Sequence, residues 1–184
     1  MDHGVYRIRP LAPEDIPTVA AALSEAEGYE VTDALSSGLE EIQGRVAGYV
    51  DHPRKFGHVV VTRGSESVVG FLLAEIHNRL NDTFGDHSII DKLSVDLFPP
   101  SGEFCEIFDL WVAADHRRMG LATALKLHLE AFLKQRKCSS IYTHTESANA
   151  HVLHLNQNLN YSEVRRGPIW DDVERTSLMK NLKT

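Results

Sequence analysis

Residues 117–122 read Arg-Arg-Met-Gly-Leu-Ala, two guanidinium groups and a glycine directly ahead of an apolar run with helical spacing. The start of a helix leaves its first backbone N–H groups without internal partners and turns the positive end of the peptide dipoles outward. Phosphate suits that position. Gly120 lets the main chain approach a pyrophosphate closely, Ala122 adds little bulk, and Arg117 or Arg118 supplies charge-assisted hydrogen bonds. The bland alternative is a solvated basic turn. The run matches neither the P-loop nor the three-glycine dinucleotide fingerprint, so its chemistry depends on the elements around it.

Those elements read as β, α, α, β, β, β, α, β, α, β, β. Residues 5–11 alternate up to Pro10, a short first strand. The next run has acids in its opening turn, Ile16, Val19, Ala20 and Leu23 on one face, and Gly28 as a stop. A second helix is expected over 37–49, with Ser37 and Glu40 in capping-box spacing and Pro53 barring continuation. Two β-branched runs around Gly64-Ser65-Glu66-Ser67 signal a hairpin. Residues 78–102 read as a long loop or a loop holding a short helix around 89–98. A strand over 103–112, a helix over 120–136 and a strand over 139–145 form a right-handed parallel crossover. A helix within 147–161 follows, and the end reads as two strands about a turn near Asp171 and Asp172. A mixed sheet with helices on both faces is expected.

Composition narrows the function. With 42% apolar residues in 184, the chain holds enough for one core, and a single domain over 1–184 is expected. The formal charge of -7 disfavours nonspecific nucleic-acid binding and mildly favours cationic partners. No run approaches the roughly 20 apolar residues of a membrane span, and no signal-peptide core is visible, so a cytoplasmic, soluble protein without membrane partners is expected. Cys105 and Cys138 read as buried free thiols. The ten histidines fall in different elements without a ligand frame, so no metal is expected.

Residues 109–125, from Asp-Leu-Trp-Val through the basic turn to Ala-Leu, resemble motif A of the GCN5-related N-acetyltransferase (GNAT) family. That family's pyrophosphate loop reads Arg/Gln-x-x-Gly-x-Gly/Ala, here Arg117, Gly120 and Ala122. The first strand and helix, the central hairpin and residues 149–161 resemble the corresponding family segments. The resemblance implies a mixed, mostly antiparallel splayed sheet of six to seven strands with about four helices on both faces. It also implies an enzyme that moves acetyl from acetyl-CoA to an amine by direct attack in a ternary complex.

Site residues follow from the same resemblance. Arg117, Arg118, Met119, Gly120, Leu121, Ala122 and Thr123 would hold the pyrophosphate. Leu110, Trp111 and Val112 would pair with the pantetheine arm, a main-chain N–H there polarising the thioester carbonyl. A protonated amine cannot attack, so a carboxylate or water chain must take its proton. Asp109 is the leading base and Glu106 the second choice. In the Asn-x-x-Ala-x-x-Leu-Tyr-x-x-x-Gly-Phe segment, Asn149, Val152, Leu155, Leu159 and Tyr161 fit. Asn156 replaces the thiol-protonating tyrosine and Asn160 the glycine. His154, Tyr161 or solvent would then protonate the thiolate, while Asn156 hydrogen-bonds sulfur or pantetheine. Asn149 bonds pantetheine or caps its helix. Tyr29, Phe84, Asp109 and Trp170 would shape the acceptor pocket, Trp170 beside Asp171, Asp172 and Glu174. The expected acceptor is a small cationic amine. The alternatives are a peptide or protein amine, or a non-catalytic acyl-CoA-binding module. A homodimer is common among relatives.

Overall fold

The computed structural model describes residues 4–26, 35–84 and 88–182. Its elements are β1 (Tyr6–Pro10), α1 (Ile16–Ala26), α2 (Leu35–Ala47), β2 (Lys55–Thr62), β3 (Val68–Asn78), β4 (Glu103–Val112), α3 (Leu121–Gln135), β5 (Ser140–Glu146), α4 (Ala150–Asn158), β6 (Ser162–Gly167) and β7 (Arg175–Asn181). Type and order agree with the sequence reading throughout. The sheet is mixed and mostly antiparallel, seven strands in the order β1-β2-β3-β4-β5-β7-β6, with four helices packed on it. β4 and β5, the strands joined through α3, are parallel as expected.

The chain divides into two compact units, Met1–Ala74 with Asp109–His128, and Glu75–Phe108 with Leu129–Thr184. In the first, β1 runs antiparallel to β2 from Tyr6↔Thr62 to Pro10↔His58. Val59 and Val61 of β2 and Phe71 and Leu73 of β3 lie two apart on their strands and so present one face each. They bury with Val19, Ala20 and Leu23 of α1 and Ile42 and Val46 of α2. Each of the valine, leucine, isoleucine and phenylalanine side chains contributes roughly 1.5–3 kcal/mol on leaving water. Arg9 grips the buried Asp15 at 2.6 and 2.8 Å, and Asp15 also accepts from the Ala12 amide at 2.9 Å, fixing the entry to α1.

In the second unit Ile89, Ile90, Leu93, Phe98, Phe104, Tyr142 and Met179 form a core. β7 pairs antiparallel with both β5 and β6, with a register shift between Glu163 and Arg165. Cys105 and Cys138 are buried thiols outside any disulfide, and burial pushes the Cys138 thiol up to about 11.

Local details shift or sharpen the sequence reading. α2 begins at Leu35 and ends at Ala47, so Ser37 lies within the helix and not at its cap. The Gly48 and Tyr49 amides still bond back to Gly44 and Val46, which closes the helix just before the expected end at Tyr49. In the expected β2–β3 turn the left-handed residue is Glu66, at φ 53°, and its carboxylate meets Arg7 at 2.5 Å. In the stretch read as a long loop or a loop holding a short helix stand two separate 3-10 turns, Ile90–Lys92 and Val95–Leu97, since a β-region residue, Leu93, ends the first. Gly28 lies outside the described residues.

Candidate active site

From Val112 the chain turns through one 3-10 turn, Ala114–His116, before α3. Arg118 and Gly120 both take positive φ, 61° and 78°, which curls the main chain ahead of the helix. Leu121, 2% exposed, plugs the helix start into the core, while Arg118, Met119 and Gly120 stay exposed. The Ala124 amide donates to the Gly120 carbonyl at 2.9 Å, so the amides of Leu121, Ala122 and Thr123 precede the first internal bond of α3. A Cβ on Gly120 would meet no atom within 4 Å. The glycine therefore faces open space at a fifteen-residue helix start, and that cradle fits a diphosphate. Arg117 Nε donates to the Val112 carbonyl at 2.9 Å, tying the strand end to the loop and holding its charge there.

A residue the sequence did not reveal braces this loop. The Tyr6 hydroxyl on β1 lies 2.9 Å from His116 Nδ1 and donates to Met119 Sδ at 3.0 Å, with the Tyr6 and His116 rings edge to face. These partners are 110 and 113 residues apart in sequence, and no local pattern links them.

Along β4, Asp109, Leu110, Trp111 and Val112 are partly exposed. Trp111 stacks on Phe71 at 5.5 Å, so its side chain belongs to packing and its main chain is what a ligand can use. The registered pairs of β4 with β5 are Cys105↔Ile141 and Glu106↔Tyr142, and the rest of β4 runs on past them. A strand that outruns its neighbour's register keeps amides and carbonyls for an extended ligand arm.

Glu106 sits in the second unit at 8% exposure. Its Oε2 lies 3.6 Å from His77 Nε2, which is also 3.9 Å from Glu75 Oε2, while His77 Nδ1 lies 3.7 Å from Asp82 Oδ2. Burial first, then the charge of Glu75, pushes the Glu106 carboxyl up to about 7. The His77 ring is bounded by Phe84, Phe104 and Phe108, centroids 5.5–6.0 Å away. Phe104, Glu106 and Phe108 alternate along β4 and so share the face toward His77. Sequence reading named Glu106 but not His77 or Glu75, which stand at the end of a strand with no motif of their own.

On α4 the open alternatives narrow. Asn149 caps the helix, its Oδ1 accepting from the Val152 amide at 3.2 Å. Asn156 is 1% exposed and donates Nδ2 to the Val152 carbonyl at 3.0 Å. A carbonyl only accepts, so this bond fixes which end of the amide is which. Asn156 Oδ1 is then a buried acceptor without a hydrogen-bond partner among the described residues. Asn160 has φ 61°, the left-handed conformation the family's glycine supplies. His154 is exposed. Tyr161 is 4% exposed, its ring under Lys180, and burial raises its phenol well above the usual range.

Of the acceptor candidates, Phe84 meets the His77 and Phe104 rings, and Tyr29 lies outside the described residues. Trp170 stands over the Arg175 guanidinium at 4.2 Å. Asp171 pairs with Arg175 through both oxygens, and Glu174 lies 3.8 Å from Arg166. The acidic turn expected to attract a cation is thus largely neutralised by its own arginines. His144 on β5 packs edge to face on Trp170 at 5.1 Å, and burial, then the Arg175 charge, holds it down to about 4. Among the described residues no His, Cys, Asp and Glu side chains gather in a group of three that could hold a metal ion, and no helix is long and apolar enough to cross a membrane.

The family model described as acetyltransferase (GNAT) family matches residues 29–161. No curated protein matches the chain by sequence. Among solved structures the fold is similar to Arabidopsis thaliana NAA60 in complex with acetyl-CoA, at 19% identity and TM-score 0.73, covering 96% of this chain and 98% of that one. It is also similar to the ribosomal-protein-S18-alanine N-acetyltransferase from Escherichia coli, at 16% identity and TM-score 0.64, covering 97% and 95%. A spermidine N-acetyltransferase SpeG chimera from Vibrio cholerae and hSSAT gives 12% identity and TM-score 0.66, covering 97% and 96%.

Proposed function

We propose that this chain, which belongs to the acetyltransferase (GNAT) family and depends on acetyl-CoA, passes the acetyl group to a primary amine of a small cationic molecule. Acetyl-CoA, when bound, supplies the acetyl group activated as a thioester. The amides at the head of α3, with the charges of Arg117 and Arg118, suit its diphosphate. The main chain of Leu110 and Val112 suits the pantetheine arm.

An amine reaches the enzyme as an ammonium and attacks only after losing a proton. Glu106, held up to about 7 by burial and by Glu75, is a base matched to neutral pH, and that observation carries the reading. It reverses the expected order, in which Asp109 led. Asp109 is the more exposed carboxylate and suits steering of the incoming cation. Asn156 offers an acceptor, not a proton, which suits a pantetheine amide or thiol. Tyr161 is too enclosed to be a ready proton donor, so solvent, or His154 at the surface, protonates the departing thiolate.

Thiol release from acetyl-CoA, followed across polyamines, aminoglycosides and short peptides, tests this reading. A polyamine or another small amine as best acceptor, with kcat/KM rising through pH 7, supports it. A second reading, a peptide α-amine as acceptor, draws on the similarity to NAA60 and to the ribosomal-protein-S18-alanine enzyme. Peptides outpacing every small amine would favour it.

A further inference from the structure

We propose that His77 takes the amine's proton onward from Glu106 and delivers it to Asp82 at the surface; this rests on Glu106 receiving that proton first. The three groups lie in line through the imidazole. Nε2 faces Glu106 at 3.6 Å, and Nδ1, on the other side of the ring, faces Asp82 at 3.7 Å. Exposure rises along the line, the Glu106 side chain at 10%, His77 at 14% and Asp82 at 22%. Each gap is about 0.5 Å longer than a hydrogen bond, a distance a small ring rotation or one water closes.

Imidazole is the side chain that accepts on one nitrogen while donating from the other near neutral pH. The ammonium gives its proton to the Glu106 carboxylate and becomes the free amine. The Glu106 carboxyl passes the proton to His77 Nε2 and is a carboxylate again. The imidazolium releases its Nδ1 proton to Asp82 and from there to bulk water. One proton leaves per turnover; Glu106 and Asp82 return to their starting states, and His77, left as the Nε2–H tautomer, regains the Nδ1–H form by a ring flip or by proton exchange through water before the next turnover.

The groups that set this path come from each element around the ring. Glu75, on β3, lies 3.9 Å from Nε2 and stabilises the imidazolium. Tyr142 on β5 pairs with Glu106 in register and lies 3.1 Å from Ser177, and burial raises its hydroxyl well above the usual phenol range, so it stays a phenol. Phe84, Phe104 and Phe108 set apolar rings around the imidazole, centroids 5.5–6.0 Å away. Asp82 is itself placed by accepting from the Asn78 amide at 2.7 Å. His77 acts through Glu106 and is a positioning residue for the proton, not a group that touches the substrate.

His77→Gln, His77→Gly and Asp82→Asn test the path. The asparagine keeps an acceptor for the Asn78 amide, so that variant preserves the turn even if the His77 variants fold poorly. Expected are an unchanged acetyl-CoA Kd by calorimetry, a kcat at pH 7 lowered about tenfold in His77→Gln, and partial rescue of His77→Gly by added imidazole. Asp82→Asn is expected to lower kcat in the same direction and weaken its rise with pH. Wild-type turnover with unaltered kcat and pH profile in the variants overturns the relay and leaves Glu106 as base. A fall in kcat that imidazole does not restore assigns His77 to packing and also overturns it. If the wild-type chain acetylates no amine, the functional reading fails, and the relay with it.

Discussion

Glu106 and Asp109 stand three residues apart on one strand, and their surroundings separate their chemistry. A carboxyl enclosed with a second carboxylate resists ionisation, so Glu106 goes from mostly protonated to mostly charged as pH rises through about 7. A base must be charged to act. The rate with a saturating acceptor therefore climbs through pH 7 and levels above it. Glu106→Gln keeps the shape and removes the charge; kcat is expected to drop about 100-fold and to lose that climb. Asp109→Asn, at a partly exposed position, is expected to lower kcat less than about tenfold and to act mainly on the acceptor KM. The opposite ranking in a thiol-release assay would return the base to Asp109.

At the scale of elements, the turn into α3 was legible because its signal is local. A basic pair, a glycine and an amphipathic helix sit within one stretch of chain, and the backbone carries out what their types require. Gly120→Ala tests this. The new Cβ meets no protein atom, so the cost to folding is the left-handed conformation, about 1 kcal/mol. The expected cost to acetyl-CoA is larger, since the methyl enters the space proposed for its diphosphate; a Kd raised more than tenfold by calorimetry is expected.

The brace on that turn was not legible. Tyr6 reaches His116 and Met119 from the far end of the sequence, and only the pairing of β1 with β2 brings it there. Tyr6→Phe keeps the ring and removes both contacts; a Kd for acetyl-CoA raised about threefold with kcat unchanged is expected. His77 escaped notice for a similar reason. Its partners come from β3, the following turn and β4, and a histidine at a strand end carries no period or spacing that marks it. Asn160, which stands where the resemblance has glycine, takes the left-handed conformation that asparagine is one of few residue types to admit.

Across the described residues, His58, His144 and Glu106 carry the large shifts that govern how the fold answers acid above pH 4. His58, in the first unit, is held down to about 4 by burial and then by His128, whose ring centroid lies 4.6 Å away; His144, in the second, is held down to about 4 as well. Unfolding lets both return to 6.5, so the unfolded chain binds more protons and stability falls as pH drops from about 6.5 toward 4. Glu106 works in the opposite direction. Its folded carboxyl holds a proton up to about 7 and its unfolded one only to 4.5, so the fold gains as pH drops across that interval. Between pH 7 and 4.5 the two histidines together withdraw about 5 kcal/mol and Glu106 returns about half of it, a net loss of about 2 kcal/mol. Glu106→Gln removes the opposing contribution. Urea unfolding at the two pH values is therefore expected to show a steeper acid loss in that variant than in the wild type, by about 2 kcal/mol. Equal losses would mean that Glu106 is ordinary in the fold, and a carboxyl with an ordinary pKa is a weaker base for an amine at neutral pH.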